Sequence, residues 1–280
     1  MTPSPVVDAQ VHCFEWDHPT RPWTGVGSPL LEATGAQTVA RMDAAGVDAA
    51  VLVSPWLNYL ADPSYAFEVA SAYPGRFAVV APIDLGWASN PDAVDDILSR
   101  PHASGLRHVL WSPAARAAIL EGTLDGVLQR MQLKRVPLCL AFSGPVTEAE
   151  YIASRFPDLP VVIDHLGLPA TPTPPPPPAP FTGLDPILDL GRHANVLVKV
   201  TGLPALSHDP YPYLDLRDPL RRVIDRFGPS RVLWGTDWTR VHAFHSYQDG
   251  VDWIGDAGLT ASEAALVRGQ NTLDVFFRGR

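Results

Sequence analysis

Short apolar runs rich in β-branched residues recur along the chain and alternate with longer stretches whose polar and apolar positions are typical of helices. Eight of these runs predict strands, at Val6–Phe14, Ala49–Pro55, Phe77–Asp84, Gly105–Leu110, Pro137–Phe142, Val161–Gly167, Val196–Gly202 and Val232–Trp238. The stretches between them predict helices, among them Thr38–Ala45, Asp92–Arg100, Leu124–Leu133, Glu148–Phe156 and Asp218–Phe227. Eight strands that are each followed by a helix are the expected content of a (β/α)8 barrel.

A doubly wound open sheet is the main competing architecture, but the chain has no glycine-rich dinucleotide fingerprint to favour it. We therefore predict an α/β fold, a TIM-like (β/α)8 barrel that forms a single domain over residues 1–280.

One segment interrupts the alternation of strands and helices. Pro169–Pro180 contains eight of the 30 prolines, and five of these are consecutive at Pro174–Pro178. Such a run adopts polyproline II and cannot join a sheet or a helix. We predict a stiff surface loop between the sixth strand and the next helix; the alternative is a docking site for a proline-binding module.

Polar residues near the ends of the predicted strands are the first candidates for chemistry, because active sites in barrels lie at the carboxyl ends of the strands. The first strand carries Asp8, Gln10 and His12, which strand alternation places on one face directed into the upper barrel. Later strands carry further ionisable residues, namely Asp164 and His165 on the sixth, Lys199 on the seventh and Asp237 on the eighth. Such groups are costly to bury unless they are paired.

Four strand-end motifs together resemble one known family: DAQVHCF on the first strand, VVIDHLGLP on the sixth, VLVKVTGLP on the seventh and RVLWGTDW on the eighth. In this order they resemble the amidohydrolase-2 family, and within it the lactonase branch that includes 2-pyrone-4,6-dicarboxylate lactonase, fuconolactonase and sulfomuconolactonase. The resemblance extends from about Val6 to Phe276. It implies a TIM-like barrel that hydrolyses a cyclic ester, often without a metal ion.

The resemblance also implies roles for three residues. Asp237 would be the general base that activates water, while His12 and His165 would polarise the lactone carbonyl or bind the developing oxyanion. The structural alternatives are an Asp237 that pairs with an arginine or caps a loop, and histidines that are satisfied core residues.

The chain departs from the family pattern at Gln10, where relatives commonly carry the first histidine of a His-x-His pair. Those histidines bind zinc or manganese in metal-dependent relatives, whereas glutamine is a weak neutral ligand. We therefore expect no cofactor, and we predict that Gln10 donates an amide hydrogen bond to a substrate oxygen.

A single Zn or Mn ion held by His12, His165 and Asp237 is the alternative to a metal-free site. Bound metal would favour a nonoxidative decarboxylase of an aromatic or unsaturated acid over a lactonase. A barrel that has lost activity and acts as a binding protein is a third hypothesis.

Other charged residues are candidates for binding or for tuning the site. Arg107 on strand four and Arg240 after strand eight are placed to hold an anionic group of the substrate, or else to form salt bridges at the barrel rim. Lys199 is a candidate for substrate binding and is predicted to pair with Asp8 or Asp237 and to tune the carboxylate; the alternatives are a Schiff-base amine and a carboxylated metal bridge. Asp164 is predicted to bond a neighbouring helix.

Aromatic residues follow several strands and predict a pocket for a planar or largely apolar substrate. They are Trp16, Trp56, Tyr59, Trp87, Trp111 and Trp238, of which Trp56, Tyr59, Trp111 and Trp238 are the predicted substrate contacts. The alternative is packing of long loops at the barrel mouth. His242 and His245, beyond strand eight, are candidates for a proton shuttle, whereas strand geometry excludes a nucleophilic pair of Cys13 with its neighbour His12.

Composition narrows the class of partner and the compartment. The formal net charge of −9 argues against nucleic-acid binding, and no apolar run is long enough for a transmembrane helix. The first residues, MTPSPVVDAQ, do not have the pattern of a signal peptide. Two cysteines cannot form a disulfide framework, so we expect a cytoplasmic protein that acts on a small molecule.

Overall fold

A sheet of eight parallel strands forms the centre of the protein in the computed structural model, which describes residues 4–277. Each strand is hydrogen-bonded to the next strand along the chain, so the predicted (β/α)8 barrel is confirmed. The strands are β1 Val7–Val11, β2 Ala49–Val53, β3 Phe77–Pro82, β4 Ala103–Val109, β5 Leu138–Ala141, β6 Val161–Ile163, β7 Val196–Thr201 and β8 Val232–Gly235.

Helices occupy the connections between the strands and pack around the sheet. They are α1 Gly35–Ala44, α2 Trp56–Tyr59, α3 Ser64–Ala72, α4 Ala93–Leu98, α5 Pro113–Leu120, α6 Asp125–Lys134, α7 Thr147–Arg155, α8 Leu184–Asp189, α9 Arg217–Phe227, α10 Trp238–Val241, α11 Tyr247–Asp252, α12 Ala261–Ala265 and α13 Asn271–Phe276. Within residues 4–277, no helix combines the length and the apolar character needed to cross a bilayer.

Strand alternation divides the apolar residues between the inside and the outside of the barrel. Val51 and Val53 of β2 and Val80 of β3 belong to a small inner cluster, whereas Leu52 belongs to the larger cluster between the strands and the helices. Phe276 of α13 packs in the inner cluster. Apolar side chains therefore fill part of the barrel interior, and the polar residues at the carboxyl ends of the strands remain available for a site.

Side-chain and backbone hydrogen bonds close the barrel where β8 returns to β1. The Asp8 carboxylate accepts hydrogen bonds from the backbone N–H of Thr236 at 2.8 Å and from its hydroxyl at 2.6 Å. The N–H of Asp237 donates to the carbonyl of Gln10 at 3.0 Å. A side chain on Gly235 would meet the Asp8 carboxylate at 2.7 Å, so only glycine permits this close approach.

Asp8 does not share a face with Gln10 and His12, and the prediction that all three point into the barrel is wrong. The pairing of β1 with β2 shifts register between Asp8 and Val11, which breaks the alternation. Asp8 instead accepts a hydrogen bond from the hydroxyl of Tyr247 on α11 at 3.2 Å. Burial raises the pKa of Asp8 to about 6, although its hydrogen bonds oppose the shift.

All eight strands end before their predicted runs do, and the early ends of β6 and β8 position ionisable side chains. β6 ends at Ile163 because His165 and Leu166 adopt left-handed backbone conformations, with φ of 53° and 54°. β8 ends at Gly235, and Asp237 follows with φ of 46°. Such conformations cost on the order of 1–3 kcal/mol per residue and are concentrated at functional sites.

The proline-rich segment 169–180 connects β6 to α8, as predicted. Most of its prolines are exposed, including Pro174 and Pro175. The hydroxyl of Thr171 donates to carbonyls within the segment, and His208 contacts the carbonyl of Pro177 at 3.0 Å. These contacts fit the interpretation of a stiff surface connection.

Candidate active site

A cavity of about 280 Å³ opens at the carboxyl ends of the strands. Its polar wall is formed by His12, His165, Arg107 and Arg240. Aromatic and aliphatic side chains form much of the remainder, among them Phe14, Trp56, Leu57, Trp111, Phe142 and Leu168. A small apolar cavity with a few convergent polar groups is the usual form of a small-molecule site.

At its base, two imidazoles flank one carboxylate. Nε2 of His12 lies 3.3 Å from Oδ1 of Asp237, and Nδ1 of His165 lies 3.6 Å from Oδ2 of the same residue. Asp237 is fully buried, whereas the two histidines are partly exposed. The carboxylate therefore lies behind the two imidazoles.

Arg240 is the strongest charged neighbour of Asp237. Its Nε donates to Oδ2 of the carboxylate, three residues earlier in the chain. Burial alone would raise the pKa of Asp237, but Arg240, His165 and His12 outweigh it and hold that pKa well below its ordinary value. The other oxygen, Oδ1, is buried and accepts no hydrogen bond within residues 4–277. Asp237 is thus ionised and has one oxygen free to accept a proton.

Each ring has a close hydrogen-bond partner at Nδ1, and for His12 that partner indicates which nitrogen carries the proton. Nδ1 of His12 lies 2.7 Å from the carbonyl of Val53, which only accepts, so this nitrogen must carry hydrogen. Nδ1 of His165 lies 2.7 Å from the hydroxyl of Thr201. Burial lowers the pKa of His165 to about 3, against the opposing charge of Asp237, and this imidazole is therefore neutral.

This arrangement bears on the role that the family resemblance implied for the two histidines. Nδ1–H of His12 is already donated to the Val53 carbonyl, so this N–H is not available to a substrate carbonyl. The geometry therefore favours proton acceptance by His12 beside Asp237 over polarisation of the carbonyl.

A chain of buried polar groups lies beneath the cavity wall. Arg107 donates from Nε to Oδ2 of Asp164 at 2.8 Å, and Oδ1 of Asp164 lies 3.0 Å from Nζ of Lys199. Lys199 in turn donates to Oε1 of Gln10 at 2.8 Å. Burial opposes ionisation of Asp164, but Lys199 and Arg107 lower its pKa to about 2. The chain joins the cavity-facing Arg107 to Gln10, which lies beside the histidines.

Three sequence predictions are corrected by this chain of contacts. Lys199 pairs with Asp164 and Gln10 rather than with Asp8 or Asp237. Asp164 bonds strand residues inside the barrel rather than a neighbouring helix, because the left-handed turn after it ends the strand alternation. Gln10 and Lys199 are fully buried below the cavity, so neither is placed to contact a substrate as predicted.

The predicted aromatic contacts divide into two groups. Trp56 and Trp111 line the cavity, and Trp111 is more than half exposed at its mouth. Tyr59 is buried elsewhere and accepts a hydrogen bond from the N–H of Glu15 at 3.0 Å. Trp238 packs against Tyr247 and donates to a loop carbonyl, so Tyr59 and Trp238 have structural positions.

The other nucleophile and shuttle candidates lie outside the cavity wall. Cys13 is buried and donates to Thr38 at 3.3 Å, and burial raises the pKa of its thiol to about 12. Nδ1 of His245 bonds the carbonyl of Ser246, and His242 makes an edge-to-face contact with Trp238. None of these three side chains is placed to act on a molecule in the cavity.

Several lining residues were missed by the sequence analysis. Phe14 comes three residues after β1 and Phe142 directly after β5, so their position near strand ends was a usable signal. Thr201 at the end of β7 was noted only as part of a motif. Leu57 lies in the short helix α2 and Ala170 in the loop after β6, and the sequence pattern does not indicate the course of these connections.

The alternative metal site requires His12, His165 and Asp237 to direct lone pairs at one point. The amide nitrogen of Gln10, a donor, instead lies 3.5 Å from Nε2 of His12 and 3.5 Å from Nε2 of His165, and Oδ2 of Asp237 is bound by the Arg240 guanidinium. No group of three His, Cys, Asp or Glu residues within the described chain is arranged to hold a metal ion. These residues therefore do not fit a transition-metal ion in this arrangement.

Comparisons with known proteins agree with this site and fold. An L-fucono-1,5-lactonase from Burkholderia ambifaria is 30% identical over 199 residues, which cover 69% of this chain and 66% of that protein. A 4-sulfomuconolactone hydrolase from Hydrogenophaga intermedia is 29% identical over 225 residues, covering 78% of this chain and 68% of the relative. The matched stretch thus spans about two thirds of each relative.

A solved structure of an amidohydrolase from Burkholderia multivorans with bound zinc has the same fold. It superposes with a TM-score of 0.79 and 20% identity over 98% of this chain and 99% of its own. The family model described as amidohydrolase matches residues 7–278. This chain belongs to the amidohydrolase family.

Proposed function

We propose that this protein hydrolyses a lactone that carries an anionic group, using water activated by Asp237 without a metal ion. The observation that carries the proposal is the buried Asp237 carboxylate, with one free oxygen, facing His12 at the base of a cavity that also exposes two arginines. The lactone hydrolases among the relatives support the same class of reaction.

The proposed reaction needs one water molecule and no covalent intermediate with the protein. Water attacks the ester carbonyl carbon while its proton passes to the acceptor pair formed by His12 Nε2 and Asp237 Oδ1, which lie 3.3 Å apart. The ring C–O bond then breaks, and the same proton returns to the leaving oxygen. The product is the open-chain hydroxy acid or its keto tautomer.

The two arginines provide the reason to expect an anionic substrate. Arg107 and Arg240 each use Nε for a carboxylate of the protein, and both guanidinium groups line the cavity. A guanidinium presents a fork of donors that matches a carboxylate or sulfonate of the substrate. Trp56 and Trp111 add flat apolar surface for a planar ring.

The two alternative functions have less support. A decarboxylase of the kind considered above would use a bound metal ion, which the arrangement of His12, His165 and Asp237 does not favour. An inactive binding protein would not need an ionised carboxylate with a free oxygen beneath a cavity.

A small-molecule substrate and a cytoplasmic location complete the proposal. The two cysteines are buried and free, as is usual in a reducing compartment. The net charge of −9 remains the argument against nucleic-acid partners.

Lactone hydrolysis is tested by assaying the purified protein with 2-pyrone-4,6-dicarboxylate, 4-sulfomuconolactone and L-fucono-1,5-lactone, with acid release as the readout. We expect turnover, and a kcat/KM about 10- to 100-fold higher for an anionic lactone than for the neutral sugar lactone, because each charge-assisted hydrogen bond contributes about 1.5–3 kcal/mol. No turnover of any lactone would contradict the proposed reaction. A preference for the neutral lactone would contradict the proposed roles of Arg107 and Arg240.

A further inference from the structure

Lys199 is one of only two lysines in the chain, and it is fully buried inside the barrel. Its ammonium lies 3.0 Å from Oδ1 of Asp164 and 2.8 Å from Oε1 of Gln10, and it also lies 5.6 Å from the ring centre of Phe276. An ammonium group has three donors and no acceptor. The oxygen of the Gln10 amide must therefore face Lys199, and its NH2 group must face the opposite way.

The NH2 group of Gln10 lies between the two histidines of the site. Its nitrogen is 3.5 Å from Nε2 of His12 and 3.5 Å from Nε2 of His165. An amide nitrogen only donates, so this orientation favours an Nε2 lone pair on each ring and disfavours a proton there. Turned by half a rotation, the same amide would present its oxygen and favour a proton on Nε2.

We propose that Lys199 is a positioning residue that holds the Gln10 amide in one of its two orientations and so keeps Nε2 of His165 free of a proton. The inference rests on the proposed lactone hydrolysis, because the His165 imidazole lies beside Asp237 in the cavity wall where that reaction would occur. Lys199 acts through Gln10 and does not touch the substrate.

The surroundings of Lys199 are suited to this task. Asp164 balances its charge and is itself held by Arg107, so the ammonium cannot move far from Gln10 without leaving a buried carboxylate partly unpaired. The hydrogen bonds of His12 to Val53 and of His165 to Thr201 satisfy the opposite nitrogen of each ring. Nε2 of His12 also lies 3.3 Å from Oδ1 of Asp237, so the amide orientation is the deciding contact for Nε2 of His165.

The test is ¹⁵N NMR of histidine-labelled protein at one neutral pH, with the ring signals assigned by comparison with His12→Gln and His165→Asn spectra. In the wild type we expect Nε2 of His165 in the unprotonated range. In Lys199→Met the amide is free to turn, and we expect the Nε2 signal to move to the protonated range. Lys134→Met, at the surface lysine that pairs with Asp95, is the matched control and should leave the spectrum unchanged.

Gln10→Glu keeps the test decisive if Lys199→Met does not fold. The glutamate side chain has nearly the same shape as glutamine and keeps a partner for Lys199, but it presents an acceptor oxygen to the imidazoles. We expect a proton on Nε2 of His165 in this variant as well. An unprotonated Nε2 in a folded Lys199→Met or Gln10→Glu protein would overturn the proposal.

Kinetics provide a second readout. We expect Lys199→Met to lower kcat about 10²-fold with little change in KM, the pattern for misplaced catalytic groups. A rise in KM with an unchanged kcat would contradict a positioning role. The NMR result needs no substrate, so failure of lactone hydrolysis and failure of this inference are distinguished.

Discussion

Asp237→Asn should lower kcat for lactone hydrolysis about 10²- to 10⁴-fold, the range that general-base catalysis contributes. The substitution keeps the shape and one acceptor oxygen, but it removes the charge and the basicity. KM should change little, because Asp237 is buried behind the imidazoles and the substrate binds against the cavity wall. Steady-state kinetics with the best lactone substrate make the measurement.

Asp158→Asn is the matched control, since this aspartate is exposed at the opposite end of the barrel. It should retain wild-type kcat and KM. An Asp237→Asn enzyme that keeps more than about a tenth of kcat would contradict the mechanism, because removal of a general base should lower kcat by far more than that. The proton acceptor would then have to be His12 alone or His165.

Arg240→Gln should have the second-largest effect, because Arg240 both lines the cavity and pairs with Asp237. Loss of the guanidinium should raise KM for an anionic lactone about 10- to 100-fold. It should also change the pH profile. The base acts when ionised, so activity is lost as pH falls through its pKa, and the lowered pKa of Asp237 puts this loss at strongly acidic pH in the wild type. Without Arg240 that pKa rises, and the acidic limb of kcat/KM should move to higher pH.

Arg107→Gln separates the two effects of Arg240. Arg107 also lines the cavity, but it pairs with Asp164 and not with Asp237. We expect this variant to raise KM for the anionic lactone and to leave the acidic limb where it is. An unchanged acidic limb in Arg240→Gln would show that Arg240 does not set the basicity of Asp237.

The barrel was predictable from the sequence because its strands are buried on both faces and appear as continuous apolar runs. The carboxyl ends of the strands were less predictable, because the backbone there no longer has the extended conformation of a strand. The left-handed conformations of His165 and Asp237 shorten β6 and β8, and the register shift after Asp8 turns that side chain out of the barrel. Alternation assigns a face only while the strand continues.

Within the site, the sequence predicted which side chains lie at the cavity better than it predicted which residues they pair with. His12, His165, Arg107 and Arg240 meet at one cavity, as their strand-end positions indicated. The pairing of Lys199 with Asp164 depends on which inward-facing side chains lie at the same height along the barrel axis. A single sequence does not specify these heights. Tyr59 shows that position after a strand does not by itself identify a cavity residue, because an aromatic side chain there can pack into a loop instead.

Turnover of the chelator-treated protein, measured beside its metal content by elemental analysis, tests the central claim most directly. The claim is that Asp237 and His12 activate water with no metal ion, while Gln10 directs its NH2 group at the histidine nitrogens. We predict well under one transition-metal ion per chain and a lactone turnover that the chelator leaves unchanged. About one zinc per chain, with activity lost on its removal and regained on its return, would contradict the account.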